Sequence, residues 1–159
     1  IMASTIKRSV AADCGGNAIY GNQVSDCRGE TTGSDTGIYA NYTALNCSGY
    51  CSGNGSGLYA ATAQNCYGYA SGSGYGLNAT IAQNSYGFNS SGSGILTTTA
   101  QNCYGYSSGS GYGLYATVAF GCSSFSYSGV ALSAYLANLC VAITSVGTTQ
   151  SVSYKYNMP

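Results

Sequence analysis

The chain of 159 residues has no histidine, no tryptophan and a single proline, and only 5% of it is charged, with a formal net charge of zero. Each shortage removes a class of function. Without histidine, a serine has no imidazole to activate it. The charges fall at Lys7, Arg8, Asp13, Asp26, Arg28, Glu30, Asp35 and Lys155, which leaves residues 36–154 with none. That stretch offers no basic stripe to nucleic acid and no lysine-rich amphipathic face to a membrane. No run approaches the roughly twenty consecutive apolar residues that span a bilayer, so membrane insertion is not expected. Enzymes that cleave polysaccharides need clustered carboxylates, basic side chains or calcium. Here the few acids share the N-terminal stretch with Arg28, where surface pairing is the expected use. The reading is therefore of a chain that is no enzyme, with no catalytic, cofactor-binding or metal residues.

What is present is a repeat. GLYAATAQNCYGYASGSGY from Gly57 returns with small edits from Gly76, Gly94 and Gly113, and in weaker form from Gly37, Ala18, Thr5 and Ala131. A period near nineteen residues is the signature of a solenoid, whose units bury their apolar faces only by stacking on one another. The predicted fold is all-β: a parallel β-solenoid of about eight coils of 18–20 residues. Residues 1–36 form irregular, charged first coils, 37–143 the regular repeats, and 144–159 a C-terminal strand or tail. Helix formers are scarce, and only Leu132 to Cys140 leaves room for a short helix. An aliphatic residue at every sixth position, the mark of a left-handed hexapeptide helix, is absent.

Within the unit, Leu58 and Ala60 alternate with outward residues, as a strand requires, and a second short strand over 66–69 turns cysteine and glycine inward and Tyr67 and Tyr69 outward. The SGSG segment is the turn back. Stacking places like positions in ladders. The aliphatic one reads Ile6, Ile19, Ile38, Leu58, Leu77, Ile95, Leu114, Leu132. The anchor ladder reads Cys14, Cys27, Cys47, Cys66, Ser85, Cys103, Cys122, Cys140, with core filling as its role, since buried thiols behave as small hydrophobes and no CxxC pair exists. The residue before each anchor is Asp or Asn in most coils and is expected to lie inside the solenoid and bond to the amide above and below, satisfying turn backbone groups that would otherwise be buried and unpaired. Cys51 lies outside the register; a local disulfide, an intermolecular one and a free thiol all stay open for it.

Aromatic residues form outward stripes: Tyr20, Tyr39, Tyr59 and Tyr115 in one position, Tyr67, Tyr86 and Tyr104 in a second, and Tyr50, Tyr69, Phe88, Tyr106 and Phe125 in a third. Such stripes either cover a narrow core or form an uncharged contact surface for another copy or for sugar rings. Asn41, Asn46, Asn54, Asn78 and Asn89 stand in glycosylation sequons. Threonines hold no single outward register, which speaks against ice binding.

The residues 37–119, with runs such as NCYGYSSGSGYGLYAT, and the ending KYNMP at 155–159 resemble the tandem-repeat regions of uncharacterised bacterial right-handed parallel β-helix proteins. The resemblance implies a pectate-lyase-like, right-handed fold and a secreted bacterial origin, with no activity in the repeats themselves. The start at Ile1 reads as a processed or fragmentary form. From the weakly capped ends, where Pro159 is the sole proline, the expected function is a structural, self-assembling extracellular fibre subunit stacking head to tail. The alternative is a carbohydrate-binding or adhesive module of a larger secreted protein. The expected partners are thus the chain itself and glycans.

Overall fold

The computed structural model describes residues 2–158, so Pro159 lies outside the described residues. These residues build two parallel sheets and no helix. The longer strands are β1 (Met2–Lys7), β3 (Ile19–Ser25), β5 (Ile38–Leu45), β7 (Leu58–Gln64), β9 (Tyr75–Gln83), β11 (Ser93–Gln101), β13 (Leu114–Phe120), β15 (Val130–Asn138) and β17 (Thr148–Tyr156). They stack in that order as sheet A. The shorter strands are β2 (Val10–Cys14), β4 (Arg28–Thr31), β6 (Ser48–Cys51), β8 (Tyr67–Ala70), β10 (Tyr86–Asn89), β12 (Tyr104–Ser107), β14 (Ser123–Ser126) and β16 (Val141–Thr144), which stack as sheet B. The chain is a β-solenoid of about eight coils, each running from sheet A round a corner to sheet B and back through a turn. Leu132–Cys140 is not helical: all but its last two residues belong to β15, because Leu132, Ala134 and Ala137 face inward in register with Leu114, Ala116 and Ala119.

Sheet A supplies most of the apolar core. Ile19, Ile38, Leu58, Leu77, Ile95, Leu114 and Leu132 form one fully buried column, and Val24, Ala44, Ala63, Ala82, Ala100, Ala119 and Ala137 form another beside the corner. Ile6 belongs to the second column, opposite Val24, and not to the first. The turn backbones also pair from coil to coil, as in Ser90 N–H to Ala70 O at 3.1 Å and Ser108 N–H to Asn89 O at 3.0 Å.

The core is thinnest where the sheets meet near the turn, and glycine makes that possible. A Cβ on Gly68 would lie 2.1 Å from Gly76 O, and one on Gly76 would lie 2.4 Å from Phe88 O. Gly49 against Gly57, Gly87 against Gly94 and Gly105 against Gly113 repeat the contact. Backbone here packs directly on backbone, which no residue with a side chain permits.

The two ends differ. β17 closes sheet A with Gln150 in the column of Leu132 and Lys155 in that of Ala137. Gln150 Oε1 is buried without a hydrogen-bond partner. Sheet B ends one rung earlier, at β16, whose outer edge is unpaired among the described residues.

Candidate functional site

The corner from sheet A to sheet B is built on left-handed backbone. Asp26, Asn46, Asn65, Asn84 and Asn102 have φ between 48° and 55°, and Gly121 holds the same place at 60°. Asn and Asp tolerate this region because their short polar side chains can bond locally, which explains the recurrent Asn better than any core role. The side chains are exposed and bond along the axis to one another: Asn46 Nδ2 donates to Asp26 Oδ1 at 3.0 Å, Asn65 Nδ2 to Asn46 Oδ1 at 3.2 Å, and Asn102 Nδ2 to Asn84 Oδ1 at 3.3 Å. The expected bonding between coils is thus found along much of the column, but on the surface rather than inside the solenoid, and these side chains do not satisfy the buried turn backbone.

That task falls to a different inward position, at the end of each sheet B strand: Cys14, Thr31, Cys51, Ala70, Asn89, Ser107, Ser126 and Thr144. Asn89 Nδ2 donates to Gly74 O at 2.6 Å, while its Oδ1 accepts from Ser91 and Gly92 N–H at 2.8 and 2.7 Å. Ser107 Oγ donates to Gly92 O at 2.8 Å and Ser126 Oγ to Gly111 O at 2.7 Å. The sequence signal was present, as a small or polar residue four places after each anchor.

Immediately after the corner, one side chain per coil turns inward. Cys27, Cys47, Cys66, Ser85, Cys103, Cys122 and Cys140 are buried here, each donating to the carbonyl two residues earlier, as Ser85 Oγ does to Gln83 O at 2.7 Å. Cys14 is not among them. Arg8, with φ of 49°, makes the corner of the first coil, and Ser9 N–H bonds to Cys27 Sγ at 3.4 Å. Cys14 lies further on, half-buried opposite Thr31 beyond a register shift in β2. Cys51 is fully buried as a free thiol that bonds to Asp35 O at 3.2 Å. The hydrogen bond with Cys66 and burial push the Cys47 thiol up, and the hydrogen bond with Cys103 does the same for Cys122, to about 11. In each pair the partner, Cys66 or Cys103, is the more acidic member, lowered by that same bond. All eight cysteines are free. Among the described residues no three His, Cys, Asp or Glu side chains come close enough to hold a metal ion.

Outside, the tyrosines stack on one another along the axis. On sheet B, Tyr69, Phe88, Tyr106 and Phe125 follow at centroid spacings of 5.2, 5.0 and 4.8 Å, near parallel, beside Tyr67, Tyr86 and Tyr104 at 5.2 Å each. Arg28, paired with Glu30 at 3.4 Å, covers the Tyr50 ring at 4.9 Å. On sheet A, Tyr20, Tyr39 and Tyr59 stack at 5.1 and 4.6 Å, but Asn78 and Leu96 occupy the next two rungs. Tyr115 is therefore cut off from that stripe and packs edge-on against Tyr112. Stacking has a chemical consequence: ring faces are spent on neighbouring rings, and edges and hydroxyls face outward. Burial and the neighbouring phenols raise Tyr67 and Tyr104 and push Tyr86 up to about 12, so these hydroxyls keep their protons at any physiological pH.

Between the asparagine column and the Tyr67–Tyr86–Tyr104 column runs a groove of about 590 Å³, with Cys47, Cys66 and Ser85 in its floor. It is shallow and open to solvent along its length, a surface channel rather than an enclosed cavity. Of the sequons, Asn46 and Asn54 are exposed and Asn41 and Asn78 half-buried, while Asn89 is buried and fully bonded to the turn. A glycan on Asn89 would break those turn bonds and has no room inside the coil, so Asn89 does not fit as a glycosylation site in this fold.

No protein-family model, no curated protein and no solved structure matches the chain.

Proposed function

We propose that the protein is a structural solenoid whose copies associate into an extracellular fibre. The observation that carries the reading is the open end of sheet B. Val141 and Ile143 on β16 continue the outward tyrosine columns in aliphatic form and are 42% and 57% exposed, beside Leu139 at 52% and Val146 at 72%. An unpaired, uncharged, apolar edge strand is a template for another chain. The charge-free sides of residues 36–154 add no repulsion between copies. Head-to-tail association follows from the same edge, but a flush joint is disfavoured. It would leave β16 one rung short and set the Ile6 of the next copy over Lys155, an exposed charge in the register of the Ala137 column, where a charge protects a sheet end. The contact is accordingly assigned to β16 rather than to β17. The right-handed, pectate-lyase-like kinship and the secreted bacterial origin implied by the repeats belong to this proposal.

The test is electron cryo-microscopy of the purified chain at high concentration, beside a V141K/I143K variant. Filaments formed by the parent and lost in the variant are the expected result. Isolated rods about 40 Å long, the height of eight coils, at every concentration would overturn the reading. The second reading, a carbohydrate-binding or adhesive module of a larger secreted protein, is favoured by the groove along the asparagine corner.

A further inference from the structure

We infer that the groove between the asparagine corner and the tyrosine column of sheet B binds an extended, neutral glycan laid parallel to the solenoid axis, with one sugar unit over each coil. The inference rests on the second, carbohydrate-binding reading and is independent of whether copies associate.

Three features select this ligand. The first is the supply of hydrogen-bonding groups. An amide has two donors and two acceptor lone pairs, and the axial bonds of the corner use at most one of each. The amide chain is also interrupted in the middle of the groove. Asn65 donates down to Asn46 and Asn102 donates to Asn84, but among the described residues no hydrogen bond joins Asn65 to Asn84. Asn65 Oδ1 and Asn84 Nδ2 thus have no axial partner and remain as an acceptor and a donor at the groove's edge, beside a floor whose Ser85 Oγ is already engaged with Gln83 O and Cys66 N–H. A vicinal diol supplies the complementary donor and acceptor. The opposite wall offers the protonated hydroxyls of Tyr67, Tyr86 and Tyr104.

The second feature is spacing. Coils repeat at about 4.8 Å, and the rings of the wall at 5.2 Å. This is close to the length of one unit in an extended β-linked polysaccharide, so successive sugars keep step with successive coils. The third is charge. Nothing between residues 36 and 154 can neutralise a uronate or a sulfate, and burying an anion against amides and phenols without a counter-charge is costly. Acidic polysaccharides are excluded on this ground. Because the tyrosine faces are occupied by neighbouring rings, recognition is by amide and hydroxyl edges rather than by stacking on a sugar face.

The sequence itself provides variants that spare the fold. Gly121 occupies the corner position with φ of 60°, so Asn65→Gly and Asn84→Gly remove the amides without straining the backbone. Phe88 and Phe125 sit within the aromatic stack, so Tyr67→Phe, Tyr86→Phe and Tyr104→Phe remove hydroxyls and keep the rings. Isothermal titration of the whole chain with hexamers of β-1,4-linked glucose, β-1,4-linked xylose and β-1,3-linked glucose is the experiment, with hexagalacturonate as the acidic probe. The expected result is binding of at least one neutral hexamer. The N65G/N84G pair should weaken it about tenfold or more, as two lost hydrogen bonds imply, and Tyr59→Phe on sheet A should leave it unchanged. Binding retained by N65G/N84G would keep a glycan-binding role and overturn the groove as its site. No binding of any neutral hexamer at millimolar concentration would overturn both, as would a preference for hexagalacturonate.

Discussion

The contact of backbone on backbone between the two sheets makes Gly68→Ala the sharpest test of how this solenoid is held together. A methyl group at Gly68 would stand 2.1 Å from Gly76 O, 2.7 Å from Gly76 C and 3.1 Å from Leu77 Cβ. Restoring ordinary contact at 3.4 Å asks the sheets to part by about 1.3 Å at that coil. The obstruction is main chain on both sides, so no rotamer change can relieve it. Gly49 and Gly87, one coil below and above, make the same close contact, and any local opening drags them apart as well. Overpacking of a tight core costs about 1–3 kcal/mol, and an obstruction made of backbone belongs at or above the top of that range. For a chain of this size about 3 kcal/mol lowers the melting temperature by roughly 6–12 °C. Gly15 is the control: a Cβ there meets nothing within 4 Å, and Gly15→Ala should fall within about 0.5 kcal/mol of the parent. The assay is thermal unfolding followed by far-ultraviolet circular dichroism. A G68A protein that melts within about 2 °C of the parent would refute the contact. Ser124 and Ala131 stand where earlier coils have this glycine pair, so the C-terminal coils have given up the contact on both sides together.

Three further outcomes are expected. Leu77→Ala empties a fully buried rung between Leu58 and Ile95, and should cost about 3 kcal/mol in urea unfolding, against less than about 1 for a swap to Ile. Under native conditions a thiol reagent such as DTNB should label Cys14 and leave the buried cysteines untouched, with the rest reacting only on unfolding; rapid labelling of several thiols would contradict the stacked core. Tyr86 holds its proton more tightly folded than unfolded, about 12 against 10, so its contribution to stability is whole below pH 10 and is lost as pH rises towards 12. The melting temperature should therefore fall over that window, and less steeply in Tyr86→Phe.

Much of the fold was legible because it depends on a repeat, and a repeat is a property of the sequence alone. The inward columns through Ile38, Leu58 and Leu77, the buried anchors at Cys47, Cys66 and Cys103, and the outward Tyr67 and Tyr69 follow from period-two alternation inside a nineteen-residue unit. Register at the irregular first coil was not legible. Counting from cysteines placed Cys14 in the anchor column, whereas the geometric constant of the corner is a residue with positive φ, and in the first coil that residue is Arg8. The tyrosine stripes were legible as positions but not as contacts, because only the rung-by-rung pairing shows Asn78 and Leu96 separating Tyr115 from Tyr59.

The candidate site divides along the same line. Sequence by itself determined that the sides are uncharged, that amides and phenols recur once per coil, and that no histidine-based chemistry is present, since composition and periodicity need no coordinates. Tertiary structure decided that the asparagines face solvent, that the tyrosine rings spend their faces on each other, and that a groove opens between the two columns. It also set Lys155 in the register of the Ala137 column and left the outer edge of β16 unpaired. These depend on how far each coil rotates its side chains about the corner and on which strand ends each sheet, and such quantities exist only once the coils are stacked.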